Sequence, residues 1–156
     1  MNLVDRALKV IKTKEFISMA TADKEGNPNS APKLLLKIDG RVAYFIDYSI
    51  GSTAQNLKFN PKVSMSFIDL NTFFGYKLNG EAEIIESGDI YDECLKDLQR
   101  REIQLSVERV IEAVRSDDAR KVFELEIPEK FLVYKIKIKE GVEITPRGEL
   151  KRESLQ

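Results

Sequence analysis

The chain has no histidine, no tryptophan and a single cysteine. Each absence closes a class of chemistry. Without histidine there is no serine–histidine triad and none of the usual zinc or iron ligand sets. An all-carboxylate metal site would need acidic residues grouped in the sequence, and no suitable cluster is visible. One cysteine excludes an internal disulfide. Cys94 has Ile90, Leu95 and Leu98 near it at helical spacing, so it reads as a buried structural thiol, not a reactive one. No apolar run approaches the ~20 residues that cross a bilayer, and Met1 to Lys14 has no signal-peptide pattern. The expected location is therefore cytoplasmic, with no membrane partner. A dominant charge is also missing. The formal net charge is −1, with lysines and glutamates scattered along the chain. A nucleic-acid surface needs clustered basic residues, so that partner class is not expected.

What is present is an ordinary globular composition, 42% hydrophobic and 33% charged, on 156 residues. That length suits one domain with its own core. Leu3, Val4, Ala7, Leu8 and Ile11 fall on one face at helical spacing, with Asn2 or Asp5 as candidate caps. Phe16 to Thr21 reads as a strand. The run Asp23-Lys24-Glu25-Gly26-Asn27 is turn chemistry, so Asn29 to Ile38 should return antiparallel. Asp39-Gly40 is a two-residue hairpin signal, and Arg41 to Asp47 is the third strand. Gly51 to Phe59 reads as a short helix stopped by Asn60-Pro61. Lys62 to Asp69 and Phe74 to Glu86 are two further strands. After Gly88 the period changes to helical: Ile90, Tyr91, Cys94, Leu95 and Leu98, then Val107, Val110, Ile111 and Val114. Arg100-Arg101-Glu102 marks either a break between two helices or a solvated stretch. Phe131 to Ile138 is strand again, with Leu132, Tyr134, Ile136 and Ile138 on one side and Lys135 and Lys137 on a solvated other side.

These elements predict a mainly β, six-stranded antiparallel barrel of Greek-key type with flanking helices. The expected organisation is a single domain over residues 1–145, a helical insertion at about 89–127, and a tail over 146–156.

The stretch from Ala31 to Ile68 carries the one candidate constellation. Lys37 ends the second strand, and Gly51, Ser52 and Thr53 open the short helix. The first amides of a helix have no internal partners and carry partial positive charge, so an anion such as phosphate is well served there. Plainer readings exist. Lys37 could be a solvated strand end, and Ser52-Thr53 an ordinary helix cap. Phe73, Phe74 and Tyr76 could cover an aromatic ligand or simply pack in a core or interface.

The order and spacing of several pieces resemble the FMN-binding split barrel of the pyridoxamine 5′-phosphate oxidase type, over roughly Phe16 to Ile85. Pro32-Lys33-Leu34-Leu35-Leu36-Lys37 is similar to the family's Arg-x-Val-Leu-Leu-Lys strand. Phe45-Ile46-Asp47-Tyr48, the corner Gly51-Ser52-Thr53 and Asn60-Pro61-Lys62-Val63-Ser64 follow in the family's order. Gly75-Tyr76-Lys77-Leu78-Asn79-Gly80-Glu81-Ala82-Glu83 resembles its next strand. The resemblance implies a homodimer with two FMN sites at the subunit interface. It implies a ring along Leu34 to Leu36 and Ile46-Asp47, with Tyr48 beside it, main chain of Lys33, Leu34 and Leu35 meeting the ring, and phosphate held by Lys37 and Ser52-Thr53. The flavin would supply the redox chemistry, and the substrate is not named by the motifs.

Two departures qualify what is implied. The family arginine falls on Pro32, and the Arg-Lys of the corner falls on Ser52 and Thr53. Charge-assisted hydrogen bonds contribute about 1.5–3 kcal/mol each. Two lost without replacement weaken binding by roughly two to four powers of ten. Helix-start amides and hydroxyls would offset part of this, and Lys58 or Lys77 is a candidate replacement cation. Lys33 is a further possible substitute cation, but strand alternation puts it on the face of Lys37, not on that of Pro32. The family's terminal Trp-Gly-Gly-x-Arg segment has no counterpart in Ile144-Thr145-Pro146-Arg147-Gly148, so oxidation of pyridoxamine phosphate is not expected. The alternatives are a non-catalytic flavin module, or the same barrel holding a deazaflavin or haem, the last disfavoured by the missing histidine.

Overall fold

Short alternating segments separated by turn residues assemble as strands, and the helical periods flank them. The computed structural model describes residues 1–116 and 129–156. Helix α1 spans Leu3–Ile11, followed by strands β1 (Phe16–Ala22), β2 (Pro28–Asp39) and β3 (Val42–Asp47). Helix α2 spans Ser52–Phe59, then β4 (Lys62–Ile68) and β5 (Gly75–Ile85). Helix α3 spans Asp89–Ser116, and β6 (Leu132–Ile144) and β7 (Leu150–Ser154) complete the chain.

All strand pairings are antiparallel, in the order β3-β2-β1-β4-β5-β6-β7. An additional β3–β6 pairing, Val42↔Lys137 through Asp47↔Leu132, closes six strands into a barrel and leaves β7 outside on β6. Strand β4 lies beside β1 after three hairpin-connected strands, which is the Greek-key order. The fold is the split barrel. Every barrel strand sends side chains inward: Ile17 and Met19 from β1, Leu35 from β2, Phe45 from β3, Met65 from β4, Leu78 from β5, and Tyr134 and Ile136 from β6.

The helices close on this core through specific contacts. Asn2, not Asp5, caps α1, its side-chain oxygen accepting from the Asp5 amide at 2.8 Å. Residues Leu3 and Val4 approach β6 at Gly141, where a Cβ would stand 2.8 Å from Leu3 Cδ2. Helix α2 is tied to the barrel by two hydrogen bonds. Asn56 Nδ2 donates to Thr21 Oγ1 at 3.0 Å, and Asn29 Nδ2 donates to Thr53 Oγ1 at 3.1 Å. Asn60, extended ahead of Pro61, ends it.

Two expectations need correction, and one open alternative is decided. Strand β6 continues to Ile144, six residues beyond Ile138. Residues 146–156 are not simply a tail, because β7 pairs with β6 from Glu140↔Ser154 to Ile144↔Leu150. Helix α3 runs unbroken through Arg100-Arg101-Glu102, so that stretch is the solvated option and not a break. The chain divides into two units, residues 1–86 with 131–156, and residues 87–130. The first holds the barrel. In the second, α3 buries Cys94 and Leu98 and leaves Ile103, Val107, Val110, Ile111 and Val114 exposed. The part of the expected insertion beyond residue 116 lies outside the described residues.

Candidate functional site at the corner between β3 and α2

The register of β2 decides which of its side chains face where. Leu35 pairs with Phe45, and Lys37 pairs with Tyr44, so Leu36 is an extra residue opposite one step of β3. This is a β-bulge, which resets the alternation of the strand. Lys33 and Leu35 therefore face the interior with Phe45, while Lys37 faces outward with Tyr44. The expected shared face of Lys33 and Lys37 is thereby overturned: simple period-2 counting does not survive a bulge. Lys37 Nζ stands 5.4 Å from the Tyr44 ring centroid, within cation–π range.

The inward position makes Lys33 a buried lysine, 4% exposed, beside Asp47, 1% exposed. Lys33 Nζ donates to Asp47 Oδ1 at 2.7 Å and to Ser49 Oγ at 3.1 Å. Asp47 Oδ1 also accepts from the Ser49 amide at 3.0 Å and from Ser49 Oγ at 2.8 Å. The Tyr134 hydroxyl donates to Asp47 Oδ2. Burial alone would push the Asp47 carboxyl up; the bonds from Lys33, Tyr134 and Ser49 outweigh it and hold the carboxyl below its ordinary range. Burial pushes the Tyr134 hydroxyl well above its ordinary value, and its bond to Asp47 adds to the shift. The ammonium of Lys33 is thus engaged inside the barrel, which removes it as a replacement phosphate cation.

The remaining predicted residues fall into separate places. Leu34 and Ile46 pair with each other and are buried, but they lie on the face opposite Leu35 and Phe45. Tyr48 is exposed at the start of the corner. Gly51 precedes α2 and supplies no side-chain cap. Ser52 is exposed, whereas Thr53 is buried and accepts from Asn29. The corner hydroxyls therefore split, one open and one structural. Lys37 lies in the row Tyr44, Lys135 and Glu83 across β3, β6 and β5. Lys77 stands six residues from Glu83 on β5, about 20 Å along the strand. It lies near Glu140, whose carboxyl is held below its ordinary range first by the Asn79 amide, then by Arg152 and the charge of Lys77. Lys77 and Lys37 are not brought together within one chain.

Sequence reasoning missed two features. The first is the Lys33–Asp47–Tyr134 network, because neither the bulge nor the β3–β6 closure is written in local periodicity. The second is a cavity of about 400 Å³ between the β1–β2 turn and α2, lined in part by Asp23, Glu25, Asn29, Ser52, Gln55 and Asn56. Its wall carries Lys24 between the two carboxylates Asp23 and Glu25, so its charge is mixed. Asp23 is held below its ordinary range mainly by the Asn27 side chain, so it stays charged. Among the described residues no group of three or more metal-ligating side chains is assembled, and no helix is long and apolar enough to cross a membrane.

A family model described as pyridoxamine 5′-phosphate oxidase matches residues 3–134. Among solved structures, a protein related to general stress protein 26 from Clostridium acetobutylicum is 16% identical, with a TM-score of 0.68 over 98% of this chain and 94% of that one. A pyridoxamine 5′-phosphate oxidase-related, FMN-binding protein from Nostoc punctiforme is 14% identical, with a TM-score of 0.57 and coverage of 98% and 94%. A haem-binding protein from Mycobacterium smegmatis is 15% identical, with a TM-score of 0.65; the match covers 99% of this chain and 58% of that one. At these identities the likeness shows the fold. Among curated proteins, no sequence matches.

Proposed function

Because the chain belongs to the pyridoxamine 5′-phosphate oxidase-like family, we propose that it binds FMN as a homodimer and serves as a flavin-dependent oxidoreductase for a small substrate. The observation that carries this reading is the uncapped start of α2. Gly51 cannot cap the first-turn amides, and Ser52 stands exposed beside them. Such a helix start is suited to a phosphate monoester even without the family's arginine and lysine. Lys37 supplies a cation on the outward face of β2, three β3 residues, or about 10 Å, from Asp47 when measured along its partner Tyr44. It is placed for the far part of a long ligand, not for the same phosphate oxygen as Ser52. FMN, when bound, supplies hydride and electron chemistry; the chain supplies binding and orientation.

Pyridoxamine phosphate itself is not the substrate in this reading. Residues 144–148, the poor match to the family's Trp-Gly-Gly-x-Arg segment, run from the last residue of β6 into the β6–β7 turn, closed by Gly148 N donating to Thr145 O at 2.8 Å. The test is an absorption spectrum after equilibration with FMN and exhaustive dialysis. The expected result is retained flavin at one per chain, followed by bleaching on addition of a reduced nicotinamide nucleotide as hydride donor and recovery with an acceptor. Flavin lost completely on dialysis would overturn the reading. Retention without bleaching would leave a non-catalytic flavin module, and a parallel haemin or deazaflavin titration that displaces FMN would reassign the cofactor.

A further inference from the structure

The Lys33–Asp47 pair lies at one place of consequence. Asp47 is the last residue of β3, and Ser52 is the first of α2. Four residues between them turn the chain, and one of these, Ile50, has φ 35°. A β-branched residue in the left-handed region is strained, and it persists only where the surroundings over-determine it. Ser49 is the residue that the surroundings hold. Its amide and its hydroxyl both donate to Asp47, and its hydroxyl accepts from Lys33. Tyr134, from β6, fixes the other carboxylate oxygen. A buried ion pair by itself contributes little to stability, since well-packed apolar residues replace such pairs at small cost. What this pair does that apolar residues cannot is bind a corner amide and a corner hydroxyl.

We propose that Lys33, Asp47, Ser49 and Tyr134 are positioning residues that set the β3–α2 corner and so tune affinity for the FMN phosphate. The inference rests on the flavin reading given above. The network does not touch the ligand. It holds the turn in the conformation that leaves the first amides of α2 and the Ser52 hydroxyl open.

The experiment titrates FMN and riboflavin, which shares the ring and lacks the phosphate, into the wild type, Asp47→Asn and Ser49→Ala, following flavin fluorescence. Amide hydrogen exchange over residues 48–54 is measured on the same proteins without flavin. The expected result is a loss of FMN affinity of roughly tenfold or more in each variant. Riboflavin affinity should move less than about twofold, with exchange at the corner accelerated. Ser49 is exposed, so its alanine variant folds even where Asp47→Asn does not. Equal losses for both flavins, or no loss in a folded variant, would overturn the inference. A wild type that binds neither flavin removes the flavin reading instead. The exchange data then still judge the network, and unchanged protection at the corner would reject it as a corner device.

Discussion

Lys33 shows how plain strand alternation misplaces a residue. The opposite facing of Lys33 and Lys37 was not legible, because the extra residue Leu36 between them shifts the parity of the strand. The partner that matters most, Tyr134, is 87 positions from Asp47 along the chain, and only barrel closure brings them together. This gives a residue-level prediction. Tyr134→Phe removes a donor from a buried carboxylate while keeping the ring in the core. A hydrogen bond to a charged group is worth about 1.5–3 kcal/mol. Urea unfolding should show a loss of that order with an unchanged slope. A midpoint equal to that of the wild type would mean that Asp47 does not depend on the hydroxyl.

Elements were legible where punctuation was local. Asp39-Gly40 set the β2–β3 hairpin, with Gly40 at φ 54°, and Asn60-Pro61 ended α2. The extension of β6 and the existence of β7 were not, for a physical reason. Leu150–Ser154 is an edge strand, paired on one side with β6, and its exposed residues include Lys151 and Arg152. Edge strands need no apolar alternation, and charge on them blocks further pairing. The β5–β6 ladder carries a second irregularity, between Asn79 and Gly80. A Cβ at Gly80 would stand 2.5 Å from the Lys137 carbonyl oxygen, whereas at Gly141 it would meet side-chain ends of Leu3 and Val4 at 2.8 and 2.9 Å. Side-chain ends can rotate away and a ladder carbonyl cannot. Gly80→Ala should therefore cost about 1–3 kcal/mol and more than Gly141→Ala. Thermal unfolding of the two variants ranks them, and the reverse order would show that the ladder yields more easily than the α1 contact.

At the scale of the molecule, closure of the barrel couples two titrating groups that lie far apart in the sequence, Asp47 and Tyr134. The candidate site was half legible: the corner Gly51-Ser52-Thr53 stood out in the sequence, but which of its hydroxyls is open, and the charge network beneath, came only from the folded chain. That network has a pH signature with two limits. Asp47 has a folded pKa below its unfolded value of about 3.9, so its contribution is present above that value and is lost as pH falls through the folded pKa. Tyr134 has a folded pKa above its unfolded value of about 10, so its contribution is present below pH 10 and is lost as pH rises beyond it. Acidic groups elsewhere and the lysines also titrate, so total stability does not isolate the pair. The difference between the wild type and Tyr134→Phe does. It should be largest between about pH 4 and 10 and should shrink on both sides, with a slope approaching about 1.4 kcal/mol per pH unit on the alkaline side. Urea midpoints at acid, neutral and alkaline pH measure it directly. A difference that stays constant across the range would show that the Tyr134 hydroxyl and the Asp47 carboxylate are not coupled in the folded barrel.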